Sequence, residues 1–179
     1  HSRGKEEILP NRSRQRISEA KAIAEYIHKW IGAEEGSGLS FGVISFYKAQ
    51  VFAIYEALQK YGITERVQDG TWQICPEYRF LENGEERLRI GTVDAFQGME
   101  FDIVFLSMVR SHDMNALPSH IRNEENYEKK KQKLFGHLIS ENRLCVSMSR
   151  QKKVLAIVGD GALANTQISV DAVPALKNF

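Results

Sequence analysis

The sequence predicts an α/β fold of three layers, α/β/α, with a mainly parallel sheet and a small antiparallel hairpin insertion. Three observations predict it. Short apolar runs alternate with amphipathic helical stretches along most of the chain. The runs are continuously apolar rather than alternating, as strands covered on both faces are. Between residues 64 and 89 that grammar is interrupted by two hairpin signals, Asp69-Gly70 and Asn83-Gly84. At 179 residues the chain suits one such domain, spanning 1–179 with insertions at about 63–87 and 112–139, and is short for two.

The elements follow in order. Residues 1–15 are polar, arginine-rich and expected to be extended. From Ile17, the apolar Ile17, Ala20, Ala24, Ile27 and Ile31 recur at three- and four-residue steps, one face of a helix that Gly32, Gly36 and Gly38 end. Phe41–Phe46 reads as a buried strand. A second helix carries Val51, Tyr55 and Leu58 on one face and stops at Gly62. In the excursion from Thr64 to Arg89, Asp-Gly and Asn-Gly are expected to form type I′ turns, since both dipeptides tolerate positive φ. Strands then resume at Leu88–Thr92 and Ile103–Val109. A charged helix over Asn123–Lys133, a helix over Glu141–Arg150 and a strand over Val154–Val158 complete the pattern.

Composition excludes more than it selects. Lys plus Arg number 24 against 23 acidic residues, so any affinity for polyanions must come from local clustering. Cys75 and Cys145 form no ligand or disulfide pattern, and the five histidines show no metal spacing, so no metal site is expected. No apolar run of membrane-spanning length occurs, so no membrane partner is expected and a cytoplasmic setting is. The chain begins at His1 rather than Met, as an excised piece of a longer protein would.

Three segments stand out, each expected at the C-terminal end of a strand, where open α/β sheets bind ligands. They are Gly42-Val-Ile-Ser-Phe-Tyr-Lys-Ala-Gln50, Gly91-Thr-Val-Asp-Ala-Phe-Gln-Gly-Met-Glu-Phe-Asp102 and Asn142-Arg-Leu-Cys-Val-Ser-Met-Ser-Arg150. In order and spacing they resemble motifs IV, V and VI of superfamily 1 helicases, in the branch that includes the nonsense-mediated-decay RNA helicases. The similarity runs from about Arg16 to Asp160, and Val93-Asp-Ala-Phe-Gln-Gly-Met-Glu100 is its most specific string.

The resemblance implies the C-terminal RecA-like domain of such a helicase, a fold of the P-loop NTPase type. It puts Arg150 in the role of an arginine finger, whose planar, permanently charged guanidinium stabilises a transferring γ-phosphoryl. Taken alone, Arg150 also reads as a surface arginine favoured by a helix C-terminus. Gln97, Gly98 and Glu100 are implied on the nucleotide side, where glycine lets a ligand approach and a carboxylate accepts from ribose hydroxyls. Thr92 is the implied phosphate contact of the nucleic-acid track. Asp94 either joins it or caps a short helix over Ala95–Gln97. Ser45 and, less directly, Tyr47 are the motif IV candidates for the nucleic-acid backbone, although a tyrosine at such a junction is also a common packing residue. Arg16-Ile-Ser-Glu-Ala20 resembles a pattern in which a second phosphate-contacting arginine opens the first helix. Ile17 stands at that place, leaving Arg16, or Arg110, to substitute.

Two further features compete. Gly159-Asp-Gly161-Ala-Leu-Ala164 fits a dinucleotide fingerprint, but too little chain follows for another βα unit, and it reads as a turn. Lys129–Lys133 reads as a solvated helix face before a phosphate contact. No Gly-x-x-x-x-Gly-Lys-Ser/Thr string occurs, nor a strand ending in Asp-Glu for Mg²⁺. The N-terminal RecA-like half, absent here, is expected to hold ATP and Mg²⁺ and to be this chain's partner, with single-stranded RNA or DNA as the track. The rival expectation is a docking module for nucleic acid or protein, derived from a helicase fold and without catalysis. With no cradle for the triphosphate, the purified chain is expected to hydrolyse no ATP. Arg150-dependent turnover by it would contradict that.

Overall fold

The computed structural model describes residues 4–111, 124–163 and 172–174. Four strands form one parallel sheet: β3 (Phe41–Ser45), β6 (Leu88–Thr92), β7 (Phe101–Ser107) and β8 (Gln151–Val158), in the order β6-β3-β7-β8. Every residue of β3 is buried, as its unbroken apolar run requires. Side chains alternate between the faces. Phe41 and Val43 join a cluster with α1 (Ile17–Ile31) and α2 (Lys48–Gln59), together with Ile103 and Phe105 of β7. On the other face Ile44 packs with Val104, Leu106, Phe96, Phe101, Phe135, Leu138 and Leu144, the last three from α4 (Glu124–Phe135), the turn after it and α5 (Glu141–Met148). These two faces are the α/β/α layers.

Helix α1 follows its sequence closely: Ala20, Ile23, Ala24, Ile27 and Ile31 are all buried along one stripe. Glu19 lies on the same stripe, fully buried, four residues before Ile23. Helix α2 ends where Gly62 takes φ +69. Gly42 lies where β3 passes beneath two rings: a Cβ there would stand 3.0 Å from Phe96 and 3.1 Å from Phe101. Any side chain there would have to push the two rings back by a few tenths of an ångström.

The insertion contains an antiparallel pair, β4 (Thr64–Arg66) with β5 (Trp72–Ile74), a helical turn α3 (Pro76–Arg79) and a bridge between Phe80 and Glu86. The expected type I′ turns are corrected. At both sites only the glycine has positive φ (Gly70 +83, Gly84 +84), while the preceding Asp69 and Asn83 do not. Each loop is a three-residue connection, closed by Val67 N–H to Thr71 O and by Leu81 N–H to Glu85 O, with Gly70 and Gly84 donating back to Val67 and Leu81. The Asp69 and Asn83 side chains accept from the N–H two residues on. A third copy of this loop joins β1 (Glu7–Ile8) to β2 (Arg14–Gln15) within the stretch expected to be merely extended. Leu9 closes on Ser13, Asn11 accepts from the Ser13 N–H, and Arg12 takes the glycine's place at φ +63.

Other boundaries shift slightly. The strand expected from Ile103 begins at Phe101, and that expected from Val154 begins at Gln151. Positions 112–123 of the second insertion, and Ala164 of the fingerprint-like string, lie outside the described residues. Gly159-Asp160 follows β8 directly and opens a short 3-10 turn at Gly161–Leu163, so the string is a turn. No helix among the described residues is long and apolar enough to cross a membrane.

Gly42→Ala should destabilise the chain by about 1–3 kcal/mol, the usual range for an overpacked core. A chemical-denaturation midpoint unchanged by that substitution would contradict the packing of β3 under Phe96 and Phe101.

Candidate functional site

In a parallel sheet every strand ends on the same side. Here Ser45, Thr92, Ser107 and Val158 stand in register at the C-terminal edge. The opposite edge is built from the residues that lead into β7 and β8. The expected site residues divide between these two edges: the first segment ends β3 as expected and the second starts at the end of β6, but Gln97–Glu100 and Arg150 lead into β7 and β8, at the opposite edge from the C-terminal ends where they were expected.

At the N-terminal edge stand Gln97, Gly98, Glu100 and Arg150. After the 3-10 turn Val93–Phe96, Phe96 is buried against Phe101 with ring centroids 5.6 Å apart, which anchors the loop from below. Gln97, Gly98 and Glu100 are exposed above it. Gly98 has φ +74, and the space its missing Cβ would take is open. Arg150 sits between the end of α5 and the start of β8. Its carbonyl accepts from the Phe101 N–H at 2.9 Å, and its Nη1 reaches the Met99 carbonyl at 3.5 Å. Nε donates to Val146 O at 2.9 Å and Nη2 to Ser149 Oγ at 2.8 Å. The guanidinium therefore rests on one carbonyl of the last turn of α5, that of Val146, a placement the helix dipole favours, and touches the Gln97–Glu100 loop.

The same edge contains two residues that sequence patterns did not single out. Asp102 accepts from the Ser40 N–H (2.9 Å) and hydroxyl (3.0 Å) and pairs with Lys153 Nζ at 3.0 Å. Burial alone would raise its carboxyl, but the Ser40 N–H, Lys153 and the Ser40 hydroxyl outweigh that and hold it below the usual range. Between Phe101 and Ile103 the register to β8 shifts, Phe101 facing Gln151 and Ile103 facing Val154. Lys152 and Lys153 thus share one position opposite Asp102, a bulge immediately after Arg150. Bulges beside sites re-aim side chains. A carboxylate inside an apolar strand run was the available signal.

The C-terminal edge is dominated by a buried polar network. Glu19 Oε2 accepts from Ser107 Oγ at 2.7 Å and from the Val109 N–H at 2.9 Å; Oε1 accepts from Arg16 Nη1 at 3.1 Å. Gln50 donates to Ser107 Oγ at 2.9 Å and to the Arg16 carbonyl at 3.3 Å, and accepts from the Arg16 N–H at 2.7 Å. Burial pushes the Glu19 carboxyl up, against the lowering effect of Ser107, Val109 and Arg16. Val109 is held at φ +66, which a β-branched residue rarely adopts.

Four expected residues look different in this setting. Arg16, expected on the nucleotide side, is buried at the other edge, bonded to Glu19 and the Gly4 carbonyl and 3.7 Å from Asp160. Arg110, its alternative, is also buried: it donates to the Leu134 carbonyl at 2.8 Å and to the Lys133 carbonyl, closing the end of α4, and lies 3.3 Å from Glu6. Ser45 is fully buried and accepts from the Tyr47 N–H at 3.3 Å. Tyr47 is buried beside His137, with rings 5.3 Å apart. Neither motif IV side chain reaches the surface; Tyr47 packs into the cluster of Phe135 and Leu138. Thr92 is half-buried at the end of the edge strand β6. Asp94 does not cap a helix: Thr92 occupies the cap position of Val93–Phe96, and the exposed Asp94 carboxylate pairs with Arg143 of α5 at 2.7 Å. Among Lys129–Lys133, Lys131 pairs with Glu128 at 2.8 Å. No group of three or more possible metal ligands occurs among the described residues.

Comparison with known proteins gives the chain relatives. A family model described as "AAA domain" matches residues 1–162. The chain is similar to the helicase mov-10-B.1 of Danio rerio, 27% identical over 155 residues, which is 83% of this chain and 13% of that protein. It is 32% identical over 100 residues to the helicase required for RNAi-mediated heterochromatin assembly 1 of Schizosaccharomyces pombe, 55% of this chain and 8% of that protein. The C-terminal domain of a possible DNA helicase from Lactobacillus plantarum has a solved structure that covers 89% of this chain and 76% of its own, at 16% identity and a TM-score of 0.45. The chain thus spans a small part of the length of these curated relatives.

The sign of the Glu19 titration can be checked. Its folded value lies above the ordinary 4.5, so its contribution to stability is fullest below that value and is lost as pH rises through the folded one. Relative to Glu19→Gln, which does not titrate, the wild-type melting temperature should therefore fall as pH is raised from about 4 toward neutrality. A difference that grows in favour of wild type over that range would show that the contacts from Arg16, Ser107 and Val109 outweigh burial.

Proposed function

This chain belongs to the AAA domain family, as the C-terminal region of the superfamily 1 helicases, and on that premise we propose that it is the second RecA-like half of an ATP-dependent nucleic-acid translocase. In this reading it supplies the arginine finger and part of the track, and the first half supplies the phosphate loop. The observation that carries the reading is the meeting of Arg150 with the Gln97–Glu100 loop at one edge of the sheet, while Thr92 lies at the other.

The chemistry follows from that division. Arg150 rests on neutral acceptors, the carbonyls of Val146 and Met99 and the Ser149 hydroxyl. A phosphate oxygen is a stronger, charged acceptor for the same fork of donors. When the two halves close, Arg150 exchanges its long Met99 contact for the γ-phosphate and balances the charge that develops there. Glu100, exposed one residue before β7, faces the nucleotide as an acceptor for ribose hydroxyls. Asp102 and Lys153, paired across the bulge, hold β7 and β8 in the register that keeps Glu100 and Arg150 together. The residues described here offer ATP a guanidinium and a loop with open space above it, and offer Mg²⁺ no ligand set, so both are assigned mainly to the first half.

On the track, Thr92 is the contact from this half, with Asp94 beside it held by Arg143. Ser45 and Tyr47 act from beneath, shaping the edge rather than touching the strand. Arg16 is assigned to the buried network with Glu19, and not to the nucleotide. Contacts of the Thr92 type go to the phosphate backbone, so binding is expected to be sequence-tolerant and salt-sensitive.

The test uses a protein that contains this chain and its phosphate-binding half. Arg150→Ala should lower nucleic-acid-stimulated kcat for ATP by about 10³-fold or more, with nucleotide affinity changed only a few-fold. Turnover left within a few-fold of wild type would remove Arg150 from the finger role and favour a docking module instead.

A further inference from the structure

The sheet ends on an open strand. In the order β6-β3-β7-β8, β8 pairs with β7 on one side, and among the described residues nothing pairs with it on the other. Its run Val154–Val158 is as apolar as those of β3 and β7, yet no residue of β8 is buried, whereas every residue of β3 is. On the α1 face, Tyr26 and Trp30 cover Phe105 of β7, with ring centroids 6.5 and 6.4 Å away, and Phe105 stands beside Ala156. Ala156 and Val158 turn to that face, and Val154 with them by alternation. Val154 is still 41% exposed and Tyr26 53%. Edge strands are usually guarded by charge. Here Lys153 is drawn to Asp102 at 3.0 Å, and Lys152, the one other charge on the strand, stands near its start.

We propose that this edge binds the same edge of a second copy of the chain, β8 against β8 about a twofold axis at Ala156, making one continuous eight-stranded sheet. A twofold axis through the sheet makes the pairing antiparallel and self-complementary. The backbone restricts its register. The Val158 carbonyl accepts from the Met108 N–H, so the polar groups of Val154, Ala156 and Val158 turn to β7, and those of Leu155 and Ile157 turn outward. Outward residues must oppose outward residues, so the axis falls on a residue and not between two.

The side chains favour Ala156. The axis then passes through a non-hydrogen-bonded pair, where opposed Cα atoms come closest, about 4.5 Å, and the smallest side chain of the strand stands there. Leu155 exchanges both hydrogen bonds with Ile157 of the second copy. Val154 faces Val158, and Lys152 faces Asp160, each twice over. Asp160 lies 3.7 Å from Arg16 at 30% exposure, and a carboxylate has acceptor capacity for both cations. Centred on Leu155, the pairing would set Lys152 against Val158; centred on Ile157, it would set Val154 against Asp160. The favoured register also joins the two half-exposed strips of Val154, Ala156 and Val158 and brackets them between the two Tyr26 rings. Because the strands run oppositely, the edge bearing Arg150 in one copy adjoins the C-terminal edge of the other. The interface itself does not depend on what Arg150 does.

Sedimentation equilibrium of the full chain tests this, with the fold of each variant checked by circular dichroism. Wild type should dimerise in the micromolar range. Lys152→Glu, at an exposed position, replaces two opposite-charge pairs by two like-charge pairs and should weaken the dimer about tenfold. Val154→Lys should leave a monomer. Register is read by oxidative cross-linking in a Cys75→Ser, Cys145→Ser background. Ala156→Cys, on the axis, should give a disulfide-linked dimer. Val154→Cys, about 13 Å from its counterpart across the axis, should not. A chain that sediments as a monomer at hundreds of micromolar overturns the proposal. So does a dimer unaffected by Lys152→Glu, or one that cross-links through Val154→Cys and not through Ala156→Cys.

Discussion

A single buried carboxylate organises the end of the sheet that faces the proposed track. Glu19 is placed by helix periodicity among Ala20, Ile23 and Ile27, where an apolar side chain would serve the core better. It is retained because three donors converge on it from separate elements: Arg16 before α1, Ser107 at the end of β7 and the N–H of Val109 beyond it. Val109 can hold its left-handed conformation, at a cost of about 1–3 kcal/mol, because that N–H is captured. The turn this creates sends Arg110 inward, to the carbonyls that end α4. Removing Glu19 would take a carboxylate from the Arg16 guanidinium, which keeps the Gly4 carbonyl and Asp160, and would leave the Ser107 hydroxyl and Val109 N–H without their acceptor. One side chain thus fixes how α1, α2, β7 and α4 meet.

The opposite edge is held by different means. There Gln97, Gly98 and Glu100 are exposed and Arg150 half-buried, and position comes from the Phe101 N–H bonded to the Arg150 carbonyl and from the Asp102–Lys153 ion pair across the bulge. Such a site keeps its side chains available while its main chain is rigid, which suits groups that must engage a ligand brought by another domain. A parallel sheet makes this division natural. Its two edges are chemically distinct, and a strand links them over only five to seven residues, as β3 and β7 do. In the proposed reading, closure on the nucleotide at Glu100 and Arg150 would be one short strand away from Thr92 and Ser107.

The core was the most legible part of the sequence. Helix α1 and strands β3 and β6 were readable because burial on one stripe, or on both faces, imposes a period that no other constraint disturbs. The turns were located but misassigned. Asp-Gly and Asn-Gly mark a place where the chain reverses, yet only the glycine needed positive φ, and the same loop at Asn11-Arg12 carried no glycine to announce it. The site was legible as a set of motifs and not as a geometry. Arg150 and the Gln97–Glu100 loop lie far apart in sequence, and only the pairing of β7 with β8 joins them. Ser45 and Tyr47 look like surface candidates at a strand end, and the burial of Tyr47 depends on Phe135, His137 and Leu138, far along the chain. Arg16 reads as a spare cation until Glu19, three residues on, is seen to face it.

The division of labour between the edges is tested most directly by hydrogen–deuterium exchange on a protein containing both halves. Bound with a non-hydrolysable ATP analogue alone, amides at Gln97–Phe101 and Ser149–Gln151 should exchange more slowly. Single-stranded nucleic acid alone should slow those at Thr92–Asp94. Slowing by the nucleotide at Arg16–Glu19 or Thr92, with the Arg150 segment unchanged, would contradict the assignment of the two edges.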